Sequence, residues 1–230
     1  MGGEYVTLKI SNGSEMRGCV ARPERGNGCG VVILQEAFGV NAHIRNVAER
    51  FAREGYLAIA PELYHRSGVG VEILYTDGQT AAAYRDSIVD EPLAADLRAA
   101  YDWLKSQVGE KIASVGFCMG GRASFFANEV LPLTCAVSFY GGRIAETLLE
   151  KAEDLHGPQL MLWGGLDKHI KYKQKRAIVD RLEELKKSYV NVDFSDADHG
   201  FFCDARANYN PKAAAIAWPL TLAFLKQHCG

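Results

Sequence analysis

Cys118 stands where a chain would present a nucleophile. In Gly116-Phe117-Cys118-Met119-Gly120-Gly121 it falls between an apolar, strand-like run (Lys111 to Gly116) and a stretch of small residues suited to a close-packed helix (Gly121 to Ala127). The pattern is G-x-C-x-G-G, a sharp strand-to-helix turn in which glycines let the two elements approach and cysteine takes the place more often held by serine. A thiol in that position meets the positive end of the helix dipole, ionises more readily and becomes able to attack a carbonyl once a base is near. The backbone N–H of Met119 would point at the same carbonyl oxygen. By itself the six-residue motif fits equally well a cysteine that is only a small buried hydrophobe.

Two later segments supply the partners such a thiol needs. Gln159 to Gly165 is a buried-strand run ending in glycines, with Asp167 two residues further on; Val190 to Ser195 alternates like a strand, with His199 just beyond it. Nucleophile, acid and histidine thus follow in the order of elbow hydrolases, each at a strand end. His199 would take the thiol proton and deliver it to the leaving group, while Asp167 would fix the ring's tautomer and balance its charge. Singly, an Asp after a strand is a turn residue and a loop His a capping or solvated side chain; their joint order favours a Cys-His-Asp set. Glu36 closes the apolar run Gly30 to Leu34 and so lies at the carboxyl end of a central strand, the edge where open α/β sheets bind ligands. The alternative for Glu36 is a side chain that bonds nearby loop N–H groups.

The elements that must hold these groups alternate in the βαβ manner. Tyr5 to Ile10 and Met16 to Ala21 are strands joined by a Ser11-Asn12-Gly13-Ser14 turn. The strand at 30 to 35 leads to a helix from Ala42 to Glu54 with Ile44, Val47, Ala48, Phe51 and Ala52 on one face. Gly55 to Pro61 is a strand, Leu93 to Lys105 a helix with Pro92 near its start, and strands at 112 to 116, 135 to 139 and 160 to 163 follow. Lys173 to Lys187 is a charged amphipathic helix whose basic run reads as a solvated face, and Ala213 to Gln227 is the last helix. The expected fold is one domain over residues 1–230, a mostly parallel central sheet with helices on both faces.

With these residues in hand the chain resembles the dienelactone hydrolases (carboxymethylenebutenolidases), of the α/β-hydrolase fold, over nearly its whole length. The resemblance rests on Gln35-Glu36-Ala37-Phe38-Gly39-Val40-Asn41, Pro61-Glu62-Leu63-Tyr64, Gly116 to Gly121, Gly165-Leu166-Asp167 and Asp198-His199-Gly200-Phe201. It implies that Glu36 hydrogen-bonds the thiol and helps switch it to a thiolate when substrate arrives, and that the Ala37 N–H joins that of Met119 in an oxyanion hole. The family reads its substrate's carboxylate with two arginines. Here Thr76 to Tyr84 has none, although Arg85 follows, and Cys203 stands four residues after His199, with Arg206 only later. A shifted loop would let Arg85 or Arg206 serve; otherwise each is a solvated charge on a helix face. Phe38, Tyr64, Tyr140 and Phe201 suggest a more apolar pocket, although core packing explains most aromatics.

Composition narrows the classes. The chain has 230 residues, 48% of them hydrophobic, and a formal net charge of −2. That suits a well-cored domain, with no basic stripe for nucleic acid or an anionic membrane and no run approaching a membrane span. Met1 to Tyr5 lacks the start of a signal peptide, and Val6 breaks the myristoylation pattern despite Gly2, so a cytoplasmic location is the default. The six cysteines, at 19, 29, 118, 135, 203 and 229, show no zinc-like spacing, and most should be free thiols in a reducing compartment. The expectation is a hydrolase of a small-molecule lactone or ester, without metal or organic cofactor, working as a monomer or small homo-oligomer. The alternatives are a carboxylesterase or thioesterase on a less acidic substrate, and a thiol-redox protein that oxidises Cys118, with Cys203 as a partner from elsewhere in the sequence.

Overall fold

Strands and helices form where apolar periodicity predicts them, with differences at their ends. The computed structural model describes residues 4–230; Met1 to Gly3, on which the leader and myristoylation readings partly rest, lie outside the described residues. Its contacts divide the chain into two units, one ending at Ala113 and the other beginning at Ser114.

The first unit opens with β1 (Glu4–Lys9) and β2 (Glu15–Ala21), paired antiparallel from Glu4 with Val20 to Lys9 with Glu15. The turn between them places Gly13 at φ 84°, a left-handed conformation that glycine adopts without penalty. Then come β3 (Gly30–Leu34), α1 (Ala42–Arg53), β4 (Leu57–Pro61), α2 (Gly78–Asp86) and α3 (Asp90–Val108). The strand order here is β1-β2-β4-β3, antiparallel at β2/β4 and parallel at β3/β4. Every residue of β3 and β4 is buried, as continuous apolar runs covered on both faces should be. Each large side chain among them contributes roughly 1.5–3 kcal/mol of burial. α1 turns its predicted face, Ile44, Val47, Ala48, Phe51 and Ala52, onto β2, β3 and β4, and Asn41 caps it by accepting from the Ile44 N–H at 3.2 Å.

Sequence periodicity missed α2. Only Ala81 of that helix is buried, so no apolar stripe marks it; it starts because the Asp77 side chain accepts the Thr80 N–H at 3.1 Å. α3 is longer than its apolar stripe, with Asp90 and Glu91 in its first turn.

The second unit holds β5 (Ile112–Phe117), which the boundary between the units crosses, then α4 (Met119–Val130), β6 (Cys135–Phe139), the short α5 (Ile144–Thr147), β7 (Gln159–Gly164), α6 (Tyr172–Glu184), β8 (Tyr189–Phe194) and α7 (Pro211–Cys229). The strand order is β5-β6-β7-β8, with β6/β7 and β7/β8 parallel. β5, β6 and β7 are wholly buried, so their carboxyl ends are the places where the chain emerges. α6 stops earlier than expected because Lys186 takes φ 54° and ends the helical path. Among the described residues no helix is long and apolar enough to cross a membrane.

Candidate active site

The turn at Cys118 is set by backbone sterics. A Cβ on Gly116 would lie 1.8 Å from the Gly120 carbonyl oxygen, and one on Gly121 2.5 Å from that of Phe139, so the end of β5, the first turn of α4 and the end of β6 meet at distances only glycine permits. Cys118 sits at the corner with φ 55° and ψ −114°, a conformation costing on the order of 1–3 kcal/mol for a residue with a side chain. It persists because the surroundings determine it: the Cys118 N–H donates to Phe139 O at 3.0 Å, and its carbonyl accepts from Gly121 N–H at 3.0 Å. The thiol is thereby held half-buried at the head of α4, with Met119 the first helical residue.

Cys118 Sγ lies 3.1 Å from His199 Nε2, and His199 Nδ1 lies 2.7 Å from Asp167 Oδ2. The other carboxylate oxygen, Asp167 Oδ1, accepts the N–H groups of His169 at 2.7 Å and Ile170 at 3.1 Å. Each oxygen of Asp167 therefore has a distinct task, one orienting the ring and one anchored to its own loop. Burial works to raise the Asp167 carboxyl, but the hydrogen bond and charge of His199 and the two backbone N–H groups outweigh it and hold the group below its ordinary 3.8. Burial likewise works against charge on His199, yet the Cys118 sulfur on one side and the Asp167 carboxylate on the other push the imidazole up to about 10. The ring is thus biased toward imidazolium beside the sulfur, a form able to protonate a leaving group. It is braced by Tyr140, whose ring centroid is 5.1 Å away, and by His169 at 5.3 Å.

The loops carrying Asp167 and His199 are knitted together. Gly165 N–H donates to Phe194 O at 2.7 Å and Leu166 N–H to Ala197 O at 2.9 Å. A Cβ on Gly164 would come within 2.6 Å of Ala197 O, and one on Gly165 within 2.7 Å of Ser195 Cα. Asn208 Nδ2 donates to the His199 carbonyl at 3.3 Å.

In the first unit, Glu36 follows β3 and is fully buried. The run from Gln35 to Asn41 is shaped by its own side chains: Gln35 Oε1 accepts Leu63 N–H at 3.2 Å, and Tyr64 donates its hydroxyl to Ala37 O at 3.1 Å. Gly39 adopts φ 85° with Val71 O only 1.9 Å from where a Cβ would be. Phe38 is buried against Tyr75, and Tyr64 against Tyr84, so both rings serve packing. Tyr140 and Phe201 are also fully buried and pack on each other. Arg85, on α2, pairs with Asp86. Arg206 is not on a helix: it lies half-buried in the loop before α7, its guanidinium 2.3 Å from where a Gly200 Cβ would stand. Cys203 is buried, and among the described residues no two cysteines are joined in a disulfide. Among the described residues no group of three or more metal-ligating side chains converges.

One reading of the basic helix needs correction. Lys175 belongs to no solvated face: it is 6% exposed, and its Nζ donates to Gly164 O at 2.7 Å and to the Asp193 carboxylate at 2.9 Å. Its position was a signal, since 175, 178, 179 and 182 form the apolar stripe of α6, and Lys175 is its one charged member.

The dienelactone hydrolase family profile matches residues 16–229. A Synechocystis protein described as "Putative carboxymethylenebutenolidase" is 34% identical over 200 residues, covering 82% of this chain and 81% of the relative. One of the same description from Salmonella typhimurium is 33% identical over 238 residues, covering 98% and 87%. The crystal structure of a "Putative Dienelactone Hydrolase" from Klebsiella pneumoniae superposes with a TM-score of 0.85 at 32% identity, covering 97% of this chain and 98% of that one. The chain therefore has the α/β-hydrolase fold and belongs to the dienelactone hydrolase family, a family of hydrolases acting on ester bonds.

Proposed function

We propose that this protein hydrolyses a small-molecule lactone or ester through a thioester acyl-enzyme, with Cys118 as nucleophile, His199 as acid and base, and Asp167 as the group orienting His199. The observation that carries the reading is the unbroken hydrogen-bond chain from Cys118 Sγ through both ring nitrogens of His199 to Asp167. The thiolate adds to the carbonyl carbon, and the resulting oxyanion is held by the N–H groups of Ala37 and Met119, roles supported by the family resemblance. Collapse breaks the acyl–oxygen bond, and His199 gives its proton to the departing alkoxide. Neutral His199 then takes a proton from water as the water oxygen attacks the thioester; the second collapse releases the carboxylic acid and restores the thiolate. Glu36, buried beyond β3, modulates the thiol in this scheme, again by resemblance. No step needs a metal or organic cofactor. The proposed unit of function is the whole chain as one domain, in the cytoplasm, as a monomer or small homo-oligomer.

The relatives' names support a lactone bearing a carboxylate. A second reading, a carboxylesterase or thioesterase on a less acidic substrate, is favoured by the buried Cys203 four residues after His199, where the family has an arginine, and by the pairing of Arg85 with Asp86. The test is pre-steady-state and steady-state hydrolysis by wild type and Cys118→Ala on a dienelactone, neutral aryl esters and acyl thioesters. A burst of released alcohol that vanishes in Cys118→Ala is the expected result. Turnover of the dienelactone assigns the family's activity, and turnover only of neutral substrates selects the second reading. Absence of any Cys118-dependent turnover would sink the hydrolytic assignment and leave a thiol-redox role for Cys118.

A further inference from the structure

We propose that Lys175 is a positioning residue that sets the relation between Asp167 and His199 by tying together the two strand ends from which they hang. The inference rests on the hydrolytic reading above and adds to it a residue outside the sulfur–imidazole–carboxylate chain. Gly164 is the last residue of β7, three before Asp167; Asp193 lies at the end of β8, six before His199. β7 and β8 pair in parallel with Trp163 opposite Asp193 and Gly164 opposite Phe194, so the two loops leave the sheet side by side. The Lys175 side chain rises from α6 into this junction and donates both to the Gly164 carbonyl and to the Asp193 carboxylate.

Stability does not account for a lysine there. Taking an ammonium out of water costs several kcal/mol, and an apolar side chain of the same length, filling the stripe of Ile178, Val179 and Leu182, would serve packing as well or better. What an apolar chain lacks is direction. Two charge-assisted or polar hydrogen bonds fix the ends of β7 and β8 relative to α6 and so limit the drift of the 2.7 Å contact between His199 Nδ1 and Asp167 Oδ2. A misplacement of about 1 Å in such a contact costs on the order of 10²-fold in rate.

Lys175→Met keeps the length and removes the donors. The expected result is a fall in kcat of roughly 10- to 100-fold with KM changed by less than about threefold, since the substrate-binding groups are untouched. A second readout is independent of turnover: the midpoint of the His199 imidazole titration, followed by NMR, moves down from the wild-type value as the grip of Asp167 loosens. Wild-type kcat and an unmoved His199 midpoint, with only a lower melting temperature, would make Lys175 structural and overturn the proposal. If the wild type shows no Cys118-dependent turnover, the hydrolytic reading fails on its own, while the titration still decides whether Lys175 governs the Asp167–His199 pair. Should Lys175→Met fail to fold, Asp193→Ala removes one end of the tie at a half-exposed position. A fall in both readouts then supports the proposal, and no change in either refutes it.

Discussion

Asp167→Asn is an informative single substitution because the loop dictates which way the new amide must face. The two backbone N–H groups of His169 and Ile170 both donate to Oδ1. Turning the asparagine so that its NH2 met them would forfeit two hydrogen bonds and oppose donors to donors, a cost of roughly 1–3 kcal/mol for each buried group left unsatisfied. The carbonyl oxygen therefore stays on the loop and the NH2 faces His199 Nδ1, which must offer a lone pair. That forces the ring's proton onto Nε2, toward Cys118, where a base is needed, and disfavours the imidazolium, whose Nδ1–H would meet the NH2. The shape of the side chain is kept, so the melting temperature should change by only a few degrees. The loss in kcat/KM should be on the order of 10³–10⁴, or roughly 4–5.5 kcal/mol of transition-state stabilisation, the scale known for a wrong tautomer in a Ser-His-Asp site. The assay is hydrolysis of the best substrate from the panel above, alongside circular dichroism melts of both proteins. A folded Asp167→Asn enzyme within tenfold of wild type would refute the tautomer argument, and with it the orienting role given to Asp167.

Two further outcomes follow from the same geometry. Because His199 is pushed from an ordinary 6.5 up to about 10, its contribution to stability is fully present below pH 6.5 and is lost as pH rises through about 10. An NMR titration should therefore place its midpoint near 10 in the wild type and lower in Cys118→Ala, which removes the main influence raising it; a wild-type midpoint at 6.5 would contradict the coupling. Gly116→Ala would set a Cβ 1.8 Å from Gly120 O, so the head of α4 must move, at a cost above roughly 4 kcal/mol, and thermal melts should show a large drop or no folded protein; an unchanged melting temperature would mean that the turn is looser than described.

Much of this protein is legible in the order of its residues because local physics repeats along the chain. Continuous apolar runs at β3 to β7 require burial on both faces, and the 3.6-residue spacing of Ile44, Val47, Ala48 and Phe51 requires a helix lying on a sheet. The glycines around Cys118 announce a turn that only a missing Cβ allows, and the order Cys118, Asp167, His199 marks strand ends. The α2 helix was not legible, since its start depends on one capping side chain and it buries a single alanine.

The rest was decided by contacts between residues far apart in sequence. Lys175 reads as one more charge on a basic helix until β7 and β8 lie side by side and give its ammonium two acceptors. Arg206 reads as a solvated charge until the loop after His199 folds back and lays its guanidinium against Gly200. Likewise, which oxygen of Asp167 faces His199 depends on where the N–H groups of its loop point once that loop has closed. Periodicity and sterics act over a few residues and can be read along the chain; the direction of a hydrogen bond and the burial of a charge depend on neighbours that only the folded chain brings together.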